Sequence, residues 1–158
     1  MTGPVVVALD EQDQPVDVER WSALAGDVLT HEGVGRGELN LLFVSTAAMT
    51  DLNREHMGED GPTDVLSFPI DAGDDPDGPV VGAELLLGDV VVCPGYAAAQ
   101  AGAHRVDGEH DGTLDDELAL LVVHGVLHVL GHDHAEPVEA ETMRARERDL
   151  LDTYHRSR

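Results

Sequence analysis

The chain of 158 residues has no lysine, a single cysteine and very few aromatic side chains, and each shortage excludes a class of protein. One cysteine, Cys93, cannot form an internal disulfide, so a disulfide-held secreted scaffold is excluded. Aromatics are 3% of the residues, which leaves Val, Leu, Ala and Ile to build the core. All nine basic residues are arginine, set against 32 Asp and Glu, for a formal net charge of −23. That excess opposes non-specific attraction to nucleic acid or to an anionic membrane. No basic segment followed by an apolar run stands at the N-terminus, so no signal peptide is expected. The longest apolar stretch, residues 118–130, is too short to span a bilayer and carries two histidines. The expectation is a cytoplasmic protein without membrane attachment.

What is present is globular: 42% hydrophobic residues in a length that fits one domain, residues 1–158. Residues 5–9, 38–44, 64–70 and 84–92 read as strands, the last with a turn at Gly88-Asp89. Residues 18–30 read as a helix with Trp21, Leu24, Val28 and Leu29 on one side, and a second helix follows a Ser45 or Thr46 cap. Residues 71–79 form an acidic Gly/Asp/Pro-rich loop, and residues 95–103 an Ala-rich helix. Residues 114–130 predict a helix apolar on nearly every side, hence buried, with three acids in its first turn. A last helix begins near Pro137, with Met143, Leu150, Leu151 and Tyr154 as its apolar stripe. The sum is an α/β (α+β) domain: a mixed sheet of four strands packed with five helices.

Residues 124–134 read His-Gly-Val-Leu-His-Val-Leu-Gly-His-Asp-His. His124 and His128 are four apart, so on a helix they point the same way one turn apart. Gly131 can break the helix and let His134 return toward them. This is the H-x-x-x-H-x-x-G-x-x-H frame of helical zinc sites. Three neutral imidazoles suit one Zn²⁺ per chain and leave its fourth position open for water. A lone histidine in an apolar helix is usually a satisfied core residue, but three in this frame would each need separate buried partners. His132 reads as a turn residue, although it too could ligate. In zinc peptidases with the H-E-x-x-H motif a glutamate follows the first histidine as general base; here that position is Gly125.

Two acids have double readings. Glu117 precedes His124 by seven residues on the same helix face, about 10.5 Å along the axis. It either lines the same cleft or serves as a first-turn carboxylate on the dipole. Asp133 either orients a ligand imidazole or caps a turn.

The segment 124–134 resembles the H-G-x-L-H-x-x-G-[YH]-D-H signature of the YbeY family of bacterial endoribonucleases, the rRNA maturation factors. Leu52-Asn53 and then Pro62-Thr63-Asp64-Val65-Leu66-Ser67-Phe68-Pro69 resemble the family's central P-T-D-V-L-S-F-P block. Leu87-Gly88-Asp89-Val90 resembles its L-G-D-I strand, and Glu117-Leu118 its E-L. These blocks keep their order across residues 40–134. The resemblance implies a single α/β domain with zinc on His124, His128 and His134, and a strand at 63–68 beside the metal cleft. It implies a metal-dependent, single-strand-specific endoribonuclease whose partners are rRNA and the ribosome, acting in 16S rRNA 3′-end maturation and ribosome quality control.

Two departures stand against that pattern. Met57 occupies a position where many members have an arginine thought to contact RNA, and a thioether cannot bind phosphate. Arg54, a turn away, is either its substitute or a solvated surface arginine. The chain also lacks the basic footprint of an RNA binder. Arg144, Arg146, Arg148, Arg156 and Arg158 do cluster, but Glu139, Glu141, Glu147 and Asp149 interleave with them, which reads as a salt-bridged helix face. Two alternatives follow: a non-catalytic ribosome-assembly factor whose zinc only holds the fold, and a zinc peptidase.

Overall fold

Alternating residues of the central strands are apolar on both faces, so the sheet must be covered on both sides. The computed structural model, which describes residues 3–70, 80–81, 84–132 and 135–156, realises this with five helices. Strand β1 (Val5–Glu11) is followed by helix α1 (Val18–His31), β2 (Glu38–Val44), α2 (Thr46–Met57), β3 (Val65–Pro69), the short β4 (Val80–Val81) and β5 (Glu84–Val92). Then come α3 (Pro94–Gln100) with a 3-10 turn (Ala101–His104), α4 (Leu114–Val129), α5 (Pro137–Leu151) and a π-helical turn (Asp152–Arg156). The main sheet runs β1-β2-β5-β3, with β4 paired to β5 off this path. The pairs β1–β2 and β2–β5 are parallel, while β3 lies antiparallel to β5. The mixed sheet of four strands with five helices is the architecture expected from the sequence.

Leu39, Leu41, Phe43, Val90 and Val92 point to one face, where α1, α4 and α5 close a core with Trp21, Leu24, Leu127, Met143 and Leu150. Leu66, Val91 and Val44 point to the other face and pack with Met49 of α2 and Cys93. Burying each such aliphatic side chain contributes roughly 1.5–3 kcal/mol. Helix α4 is wrapped on most sides, as its apolar sequence requires. None of the described helices is long and apolar enough to cross a membrane.

The helix boundaries follow local chemistry. Asp17, Ser45 and Thr113 cap α1, α2 and α4 by accepting from the backbone N–H three residues on. Helix α4 ends as a Schellman motif: Gly131 N–H donates to His128 O and His132 N–H to Leu127 O, with Gly131 at φ 101°.

One expectation is corrected. No turn interrupts β5 at Gly88-Asp89: the strand is continuous through both, and its pairing to β2 shifts register between Glu38 and Leu39. Gly88 is there for space. It has φ 151°, and a Cβ would sit 2.6 Å from Phe68 O and 3.1 Å from Val129 Cγ1. The acidic loop at 71–79 lies outside the described residues.

Candidate metal centre

Helix α4 crosses the sheet so closely at Gly125 that a side chain there would collide with it. A Cβ on Gly125 would lie 2.5 Å from Val90 Cγ1, and Ser67 Oγ donates to Gly125 O at 3.1 Å. His124, next to Gly125, and His128, one turn on, face a cleft lined by β3. The two histidines share a cleft of about 380 Å³ with Met57, Asp64, Val65, Leu66, Ser67 and Pro69. Asp64 to Ser67 and Pro69 thus form a wall of this cleft, while Leu66 also packs into the core; of the strand expected at 63–68, Thr63 and Asp64 lie before β3.

The two imidazoles converge. His124 Nε2 and His128 Nε2 are 3.0 Å apart. Two nitrogens bound tetrahedrally at 2.0–2.1 Å would be separated by about 3.3 Å, so the pair is set close to the spacing a shared ion requires. On the far side of the ring, His124 Nδ1 bonds to Glu147 Oε2 of α5. A carboxylate at Nδ1 holds the proton there and leaves the Nε2 lone pair directed into the cleft. The two described imidazoles therefore fit a metal ion that takes nitrogen donors. Glu147 is 7% exposed. The expected salt-bridged face of α5 is corrected accordingly: Glu147 turns inward, and Arg146 and Arg148 pair with Glu32 and Glu109 from other segments. No signal in the sequence distinguishes Glu147 from its acidic neighbours.

The remaining candidates fall as follows. His134 and Asp133 lie outside the described residues. His132 closes the turn after α4 through its backbone N–H, and its ring pairs with Glu32 at 3.1 Å. Glu117 does not line the cleft. It is fully buried, taking His104 Nδ1 at 2.8 Å and His110 Nε2 at 2.9 Å. These bonds tie the 101–112 segment to the first turn of α4. Arg54 is exposed and pairs with Asp51 at 3.5 Å, whereas Met57 reaches the cleft. No arginine lines this cleft among the described residues.

A second group, His110, Asp111 and Asp116, has ligand atoms all within 4.8 Å of one another and could hold a metal ion. Its atoms are already engaged: Gly112 N–H donates to His110 Nδ1, and Asp111 N–H and His155 Nε2 donate to Asp116. Asp111 takes both the hydroxyl and the N–H of Thr113, and the hydroxyl bond is the main reason its pKa lies below the ordinary carboxylate value.

Fold and cleft together define a small α+β protein that presents two convergent imidazoles in a groove, one of them, His124, backed by a carboxylate, an arrangement that suits a histidine metal centre. The family model for endoribonuclease YbeY matches residues 7–155. The chain is 45% identical over 155 residues to the endoribonuclease YbeY of Salinispora tropica, covering 94% of this chain and 95% of that one. It is 52% identical over 120 residues to the Mycolicibacterium vanbaalenii protein of the same name, covering 74% of this chain and 61% of the longer relative. A solution structure of a Thermotoga maritima protein shares the fold with TM-score 0.57 and 20% identity, over 98% of this chain and 93% of that one. The chain belongs to the YbeY family, whose named members are endoribonucleases, hydrolases that act on RNA.

Proposed function

We propose that residues 1–158 form one cytoplasmic, zinc-dependent hydrolase domain that cleaves single-stranded RNA. The activity serves 16S rRNA 3′-end maturation and ribosome quality control. The observation that carries this reading is the His124–His128 pair, with convergent Nε2 atoms and Glu147 behind, in a cleft walled by β3. His124, His128 and His134 would hold the ion, with Asp133 free to orient an imidazole. When bound, zinc supplies Lewis acidity for the scissile phosphodiester and lowers the pKa of nearby water. The protein's own part is positional. Glu147 fixes the tautomer of His124, Gly125 sets the depth of α4 against the sheet, and the cleft wall of Asp64 to Ser67 holds the strand to be cut.

Family membership supports RNA as the substrate, and Gly125 argues against peptidase chemistry, since a glutamate at that position would collide with Val90. The test is cleavage of a single-stranded RNA against a matched duplex and unstructured casein. Loss of RNA cleavage in His128→Ala with casein uncut throughout is the expected outcome; casein cleavage would overturn it. A second reading, a non-catalytic assembly factor, is favoured by Met57 in the cleft and the net charge of −23. It requires that zinc-loaded protein bind ribosomal particles without cutting RNA.

A further inference from the structure

Among the described residues, the cleft is lined by one carboxylate, that of Asp64. Of the described residues lining it, Asp64, His124 and His128 are ionisable, and the imidazoles are committed to each other and to Glu147. Ser67 is not available as a nucleophile or base, because its hydroxyl donates to Gly125 O at 3.1 Å. Asp64 is half-buried at the entry to β3, and its backbone is fixed to the end of the sheet by Cys93 N–H donating to Asp64 O at 2.9 Å. Its side chain takes one long bond, from Thr63 Oγ1 to Oδ1 at 3.4 Å. The carboxylate belongs to the same cleft as the two imidazoles. It is not a member of the His110, Asp111 and Asp116 group that has metal-ligand spacing among the described residues. A carboxylate that lines the cleft beside two metal-type donors is the chemistry a general base requires.

We propose that Asp64 is the general base of the reaction, an inference that rests on the endoribonuclease reading above. The oxygen of the attacking water forms the new bond to phosphorus, and one of its protons passes to the Asp64 carboxylate. The bond from phosphorus to the leaving ribose oxygen breaks. The proton then returns from Asp64 to that oxygen, so the carboxylate ends as it began. The rigid backbone anchor at Cys93 keeps the side chain in place through both transfers.

The experiment compares wild type with Asp64→Asn, Asp64→Ser and Asp64→Glu. Three quantities are read on each: zinc per chain, affinity for a non-cleavable 2′-O-methyl oligonucleotide, and the single-turnover cleavage rate of the matching RNA. General-base catalysis is worth about 100- to 10,000-fold. Asn and Ser variants should therefore lose at least about 100-fold in rate, keeping wild-type zinc content and oligonucleotide affinity. The Glu variant should recover part of that loss. An undiminished rate in Asn and Ser variants overturns the role of Asp64 and leaves the endoribonuclease reading standing. Loss of zinc in them also overturns it, making Asp64 a residue of the metal shell. A zinc-loaded wild type that cuts no RNA overturns both.

Discussion

Glu147 of α5 accepts a hydrogen bond from Nδ1 of His124 on α4, and so couples the last long helix to the cleft-facing imidazole. Carboxylates in this position typically change metal affinity by 10- to 100-fold. Glu147→Ala should therefore weaken zinc binding by about 10- to 100-fold in a chelator competition. Circular dichroism should stay native. Unchanged affinity would show that α5 only packs against α4.

Gly125 makes the close approach of α4 to Val90 possible. Alanine raises helix propensity by about 1 kcal/mol, but overpacking a filled core costs about 1–3 kcal/mol. The steric cost should win at 2.5 Å from Val90 Cγ1. Gly125→Ala should lower the melting temperature by a few degrees (about 2–4 °C per kcal/mol at this size). Gly125→Glu should be worse and should gain no peptidase activity. Differential scanning calorimetry gives the answer directly.

Glu117 is buried between His104 and His110. Removing the acceptor that buried hydrogen bonds share costs about 1–3 kcal/mol. Glu117→Ala should thus destabilise the fold in urea titration by about that amount, while zinc content of the folded fraction stays at the wild-type value. Zinc loss from protein that is still folded would return Glu117 to the metal site.

Asp111 gives a pH dependence of known sign. Thr113 lowers its pKa below the ordinary 3.8, first through its hydroxyl and then through its N–H. The folded state binds this proton less readily than the unfolded chain, so the contribution is complete above 3.8 and is lost as pH falls through the lower folded value. Asp111→Asn should flatten that part of the acid limb in urea midpoints measured against pH. Identical limbs would remove the Thr113 contact from the stability balance.

Much of this molecule is legible in sequence because it is periodic. The i, i+4 spacing of His124 and His128 and the apolar circumference of α4 fix a buried helix with two convergent imidazoles. Gly131 marks that helix's end in the sequence as it does in the structure. Glu147 was not legible, because its role depends on how α5 rotates against α4, and its neighbours offer equivalent acids. Asp64 is visible only inside a block whose Val65, Leu66 and Phe68 also read as plain strand packing. Gly88 misleads for the converse reason. Glycine signals a turn by its conformational freedom, but here it serves an approach of three elements that one-dimensional pattern does not record. Glu117 sits on the face predicted, yet the partners that claim it come from the 101–112 segment and not from the cleft.

The most direct measurement is zinc per chain by mass spectrometry, made on the same preparations as a single-stranded RNA cleavage assay, for wild type and His124→Ala. One zinc per wild-type chain with cleavage, and the loss of both in the variant, is the expected result. Wild-type protein that binds no zinc, or a His124→Ala variant that cuts RNA at the wild-type rate, would contradict the assignment of this cleft as the catalytic metal centre.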